Sequence, residues 1–176
     1  RLVQRKKYSR LVVIFTRSLD PVPEIVEAVL PFHPESIESY DDRTLRLALK
    51  FFPSLLRLMK GNIIMLALRF LPEFFMVLRG GLPKMVMLIE VASDDKEELR
   101  ARAKAIVHAI KKFPISFRTI KSKAGEEKYW TIRRQSFALL HSHVRGKYAA
   151  PFVDDIIVKP EDMPEFLPKV NAILDR

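Results

Sequence analysis

The 176-residue chain contains no cysteine, so neither a disulfide framework nor a thiolate metal site can hold it together. That absence fits a reducing compartment, and a cytoplasmic location is expected. Glycine is also scarce, at five residues, and no Gly-rich phosphate loop is present, which argues against a nucleotide cradle of the usual kind. Acidic residues are outnumbered, 21 against 31 Lys and Arg, for a net charge of +10. A surface of that sign attracts polyanions, an anionic membrane face or acidic small molecules, and charge alone does not choose among them. Long uninterrupted apolar runs are missing as well. The opening "RLVQRKKYSRLVVIFT" has a basic start but too short an apolar stretch and no small-residue cleavage site for a secretory signal. Because the chain opens on Arg1, it is expected to be a processed or excised segment.

What is present is 48% apolar residues, enough to bury a core, and a regular change of period. "SRLVVIFT" (9–16) is a β-branched run of strand length, and "DPVPEIVEAVL" follows with proline at a helix start. "ESIESYDD" alternates as a short strand does. After an interruption the order repeats. "KMVMLIEVA" (84–92) predicts a buried strand, and "SDDKEELRARAKAIVHAIKKF" predicts a helix with Leu99, Ala103, Ile106, Ile110 and Phe113 on one stripe. Asp94 and Glu97 supply its start signals, Lys111 and Lys112 suit its last turn, and "PISFRTIKS" predicts the closing strand. Two βαβ units in succession predict an α+β fold: a ferredoxin-like antiparallel sheet with helices on one face. A helix over 126–143 and a strand–helix pair over 153–174 are appended, and the whole is expected to be a single domain.

The interruption, about 42–83, predicts a helical insertion. Leu45, Leu49, Phe52, Leu56 and Met59 share one helical stripe, Arg43, Arg46, Lys50, Arg57 and Lys60 lie elsewhere, and Pro53 should kink or split the helix. "NIIMLALRFLPEFFMVLRGGLP" is apolar but interrupted by Arg69, Pro72, Glu73 and Arg79, which is too broken for a membrane span. From Arg43 to Lys84 there are eight basic residues against the single acid Glu73, with Phe51, Phe52, Phe70, Phe74 and Phe75 among them. Packing on the domain or on a neighbour is the plainer expectation. An interfacial surface for anionic lipid, at the inner face of a membrane, is the sharper one.

Catalytic signals are weak. His141 and His143 are spaced i, i+2, about 200° apart on a helix, so they cannot chelate one metal there, and His33 and His108 have no supporting cluster. The stretch "EKYWTIRRQSFALL" says more. Trp130 and Phe137, with Ile132 or Arg133, can share a helix face, leaving one of the paired arginines near the packed side. Arginine held against aromatics suits two-pronged recognition of a carboxylate.

"YWTIRRQSFALL", followed by "RGKYAAPFVDDIIVKPEDMPEFLPKVNAIL", resembles the C-terminal, substrate-covering domain of the FAD-linked oxidases, the family of D-lactate, glycolate and D-2-hydroxyglutarate dehydrogenases. The resemblance rests on a Trp-x-x-Arg helix, an acid-led short strand with a proline after it, and a helix of matching length. It implies oxidation of a small 2-hydroxy acid by hydride transfer to FAD, with the flavin held by another domain of the same protein. A histidine-rich motif beyond Asp175 would supply a divalent metal site or a base, so the segment alone should be inactive. It places the substrate-binding arginine at Arg133, with Arg134 as the fallback. The family's second cation has no clear counterpart, since Val153 stands closest to its place and Lys147 is the substitute. Asp154 and Asp155 would sit at a strand end as structural acceptors. A basic ferredoxin-like nucleic-acid-binding module and a membrane-attached interaction module are the alternatives. The first is disfavoured because "LVVIF" and "MVMLIEV" carry no exposed aromatics to stack on bases. Homodimerisation is left open.

Overall fold

Two apolar runs of strand length become the two central strands of one sheet. A computed structural model describes residues 4, 6–53, 68, 70–143, 158–159 and 162–174. In chain order these form β1 (Tyr8–Thr16), α1 (Val22–Val29) with a short 3-10 turn (Leu30–Phe32), β2 (Ser36–Asp41), α2 (Asp42–Lys50), α3 (Leu71–Gly80), β3 (Met85–Ser93), α4 (Lys96–Ile110), β4 (Ser116–Ile120), α5 (Lys123–His143) and α6 (Met163–Leu174). The sheet runs β2-β3-β1-β4 with every neighbouring pair antiparallel. This is an α+β fold in which two βαβ halves interleave their strands, the ferredoxin-like order. Val12 stands opposite Ile89, Tyr40 opposite Val86, and Val13 opposite Arg118.

Side chains alternate across a strand, so a run that is apolar throughout fills two cores. Val12 and Ile14 of β1, with Met87, Ile89 and Val91 of β3, pack under Val22, Ile25 and Val29 of α1 and Leu99, Ala103, Ile106 and Ile110 of α4. Leu11, Val13 and Phe15, with Val86 and Leu88, face the other way, against Tyr40, Ala48 of α2 and Tyr129 and Ile132 of α5. Helices therefore cover both faces, not the one face the sequence pattern suggested. The reason is the lack of alternation in β1 and β3, which leaves neither face polar enough for water.

Two local expectations are corrected by the backbone. The cap of α4 is Asp95, not Asp94: its extended conformation lets its carboxylate accept from Glu97 N at 2.8 Å. Asp94 instead accepts from Lys7 N at 3.0 Å and Lys6 Nζ at 3.1 Å, and these contacts hold its carboxyl below the usual range, the backbone bond contributing most. Helix α5 starts at Lys123 rather than 126, because Ser122 Oγ accepts from Gly125 N at 3.1 Å. Glycine is required there, since a Cβ would come within 2.7 Å of Ile120 Cγ2.

On α2 the packed stripe is Leu45 and Ala48, continued by Phe52 just beyond the helix end, while Leu49 is 47% exposed. The helix begins at an Asp41 cap, whose carboxylate accepts from Thr44 N at 2.9 Å, and stops at Lys50, ahead of Pro53. Leu56 and Met59 lie outside the described residues, as do the strand residues 153–157 with Asp154 and Asp155. Val158 carries no strand assignment, and the expected closing helix forms as α6 with Pro168 inside it.

Candidate functional site

Helix α5 carries the arginines that the sequence singled out, and its inward face is set by neighbouring positions. Lys128, Tyr129, Thr131 and Ile132 are buried, whereas Trp130 is half-buried at the margin of the second core. Arg133 emerges at the edge of the sheet, where its Nε lies 3.1 Å from Glu38 Oε2 of β2; both side chains are partly exposed. Arg134 points to solvent and pairs with Glu127 at 3.0 Å. The structure thus separates the two arginines, one against an edge strand and the other outward. Lys147 lies outside the described residues, and Phe137 is described only as backbone. The positions of His141 and His143 both fall on α5. Among the described residues no group of three or more His, Asp or Glu is placed to hold a metal ion.

A polar network centred on Glu73 was not foreseen. Glu73, in the first turn of α3, accepts through Oε1 from Arg118 Nη1 of β4 at 2.9 Å and from the Tyr129 hydroxyl. Through Oε2 it accepts from Lys128 Nζ at 2.7 Å. Arg118 Nη2 also donates to Pro72 O at 3.1 Å. The Lys128 ammonium is almost wholly buried and lies 5.5 Å from the Phe70 ring centre and 4.8 Å from that of Tyr129. The visible signal was the solitary acid in a basic segment; its partners, 45 to 56 residues away, left no local trace.

Beside this network an apolar cavity of about 480 Å³ opens between α2, α3 and the sheet. Phe15, Leu45, Phe70 and Met76 form its walls, and Tyr40, Glu73 and Tyr129 also line it. Burial, and then the charge of Glu73, pushes both phenols well above their ordinary value of 10.0.

The glycines bear on how a flavin could be held. Gly80 and Gly81 close α3 at its carbonyl end, and Gly125 in the first turn of α5 already donates its N–H to Ser122 Oγ. In the turns that lead from β1, β3 and β4 into helices, the N–H groups of Asp20, Asp95, Glu97 and Gly125 are spent on Ser18, Ser93, Asp95 and Ser122 rather than left for a pyrophosphate. The described residues therefore do not fit the phosphates of FAD.

An interleaved antiparallel sheet with helices on both faces is the α+β class to which the fold belongs. Residues 5–176 match the family model described as FAD linked oxidases, C-terminal domain, and the chain belongs to that family, whose members are FAD-dependent oxidoreductases. A comparison with curated proteins finds no match.

The two phenols yield a pH prediction. A folded-state pKa raised above the unfolded value contributes stability that is complete below about pH 10 and is lost as pH rises through the folded value. The urea midpoint should therefore fall above about pH 10, and fall less steeply in the Tyr40→Phe, Tyr129→Phe double variant. Equal slopes in the two proteins would show that neither phenol is held protonated by the fold.

Proposed function

We propose that the chain is the substrate-covering part of an FAD-dependent dehydrogenase or oxidase of small 2-hydroxy acids, of the D-lactate or glycolate type. It acts with a flavin-binding domain of the same protein and is inactive without it. The observation that carries this reading is Arg133: a guanidinium anchored on a well-packed helix, partly exposed, and already engaged with a carboxylate, that of Glu38. A substrate carboxylate offers the same chemistry, so it can exchange with Glu38 at little cost in desolvation and gain a planar, two-pronged contact. Arg134, one position on, and Lys147 add positive charge to the approach. Redox chemistry in the family is the flavin's. The role proposed for this chain is to bind and orient the carboxylate so that the substrate is held in one alignment.

Burial of both faces of β1 and β3 supports this reading over the nucleic-acid alternative, because the described central strands leave no open sheet face for stacking bases.

In the complete enzyme, Arg133→Met should remove charge-assisted hydrogen bonds worth roughly 1.5–3 kcal/mol each and lower kcat/KM by about tenfold or more. Glu38→Gln, which removes the competing carboxylate, should leave kcat/KM unchanged or raised. If Arg133→Met keeps full activity while Arg134→Met loses it, the recognising arginine is Arg134; if both keep it, the carboxylate is bound elsewhere.

A second reading concerns location, cytoplasmic with peripheral attachment to an anionic membrane face. Along α3, Phe74 is 59%, Phe75 53% and Leu78 70% exposed, beside Arg79 in the last turn. No helix among the described residues is long and apolar enough to cross a membrane. Phenylalanines at headgroup depth with basic neighbours, each worth about 1 kcal/mol near an anionic surface, favour lipid as the covering partner. The chain should co-sediment with phosphatidylserine-containing vesicles at low salt and be released at high salt. Phe74→Ser with Phe75→Ser, or Arg79→Glu, should weaken that binding. Protein left in the supernatant at low salt would assign the face to another protein surface.

A further inference from the structure

The cavity beneath α2 and α3 takes no part in carboxylate recognition at Arg133, which lies at the sheet edge. Its volume of about 480 Å³ falls within the roughly 300–1,000 Å³ of small-molecule sites. Its walls are almost entirely hydrocarbon, and an apolar void of this size is costly to leave empty or wetted. Two of its lining residues, Leu49 and Phe74, are 47% and 59% exposed, so the cavity reaches the surface of the described residues.

The polar groups at its floor are not equivalent. The Tyr129 hydroxyl is committed to Glu73, and that carboxylate already accepts from Arg118 and Lys128 as well. Tyr40, on β2, lines the same cavity and is only 6% exposed, yet its hydroxyl makes no hydrogen bond among the described residues. Buried tyrosine hydroxyls ordinarily find a partner. A donor left open in an apolar chamber calls for an acceptor brought in by a ligand. Charged ligands are disfavoured by the hydrocarbon walls, an anion meeting Glu73 and a cation finding that carboxylate already engaged.

We infer that this cavity binds a neutral, largely apolar small molecule that presents one hydrogen-bond acceptor, of the ketone-carbonyl type, to the Tyr40 hydroxyl. Entry is past Leu49 and Phe74, and the apolar body lies against Phe15, Leu45 and Met76.

Prodan, a neutral naphthyl ketone whose emission reports both polarity and hydrogen bonding to its carbonyl, tests this on the full chain. Titration should give saturable binding of about one molecule per chain with a blue-shifted emission. Tyr40→Phe should weaken binding about two- to tenfold, the range of a single neutral hydrogen bond, and shift the emission further to the blue. Val77→Trp, which places an indole in the cavity, should abolish binding while the far-ultraviolet circular dichroism stays that of the native chain. The inference is overturned if the native chain gives no shift, or if Tyr40→Phe matches it in affinity and emission. It is equally overturned if a folded Val77→Trp binds as well as the native chain, which would mean adsorption to the exposed face of α3. None of these outcomes bears on Arg133, so this site and the carboxylate site stand or fall separately.

Discussion

One carboxylate joins three parts of the chain that are remote in sequence. Glu73 is the sole acid between Asp42 and Glu90, and it binds Arg118 of β4 and Lys128 and Tyr129 of α5. Lys128 is nearly inaccessible to water, and a buried ammonium that loses its counter-ion is among the most costly defects a small domain can carry. The insertion is thereby tied to the sheet and to α5 by charge as well as by apolar contact. The direction in which α5 lies, and with it the emergence of Arg133 beside Glu38, follows from which side of the helix is held down by Tyr129 and Ile132.

That arrangement is a consequence of the two-sided sheet. A strand such as β1, with Leu11 and Val13 facing one way and Val12 and Ile14 the other, cannot leave either face to water. Helices α1 and α4 cover the first face. The second needs a cover, which comes from α2, the half-buried Phe70 and Met76 of the insertion, and α5. This second layer holds both the cavity and the buried ionic cluster of Glu73.

Much of this was legible in the sequence. Continuous apolar runs and the 3.6-residue stripe of α4 predicted the strands and helices and their ferredoxin-like order, and Asp154, Asp155 and Lys147 lie where the structure is not described. The resemblance pointed to the family through the Trp130-to-Arg133 helix and the segment after it. The pairing of Glu73 was not legible, because ion pairs across tens of residues leave no period. Tyr129 was missed because the neighbouring Trp130 drew the helical register by one position. The choice between Asp94 and Asp95 as cap depends on backbone angles that two adjacent aspartates do not distinguish, and Leu49 was assigned to the packed stripe although the cover lies over Ala48.

The claim on which the account turns is that Glu73 and Lys128 act as one unit joining the insertion to α5. The most direct measurement is a double-mutant cycle by urea unfolding with Glu73→Gln, Lys128→Met and the pair together. Glu73→Gln alone should cost about 3–5 kcal/mol by leaving Lys128 buried without that partner. Adding Lys128→Met should recover part of the loss, for a coupling energy of roughly 1–3 kcal/mol. Additivity within about 0.5 kcal/mol would contradict it, and would mean that the two side chains are neighbours whose contact does not hold the insertion to α5.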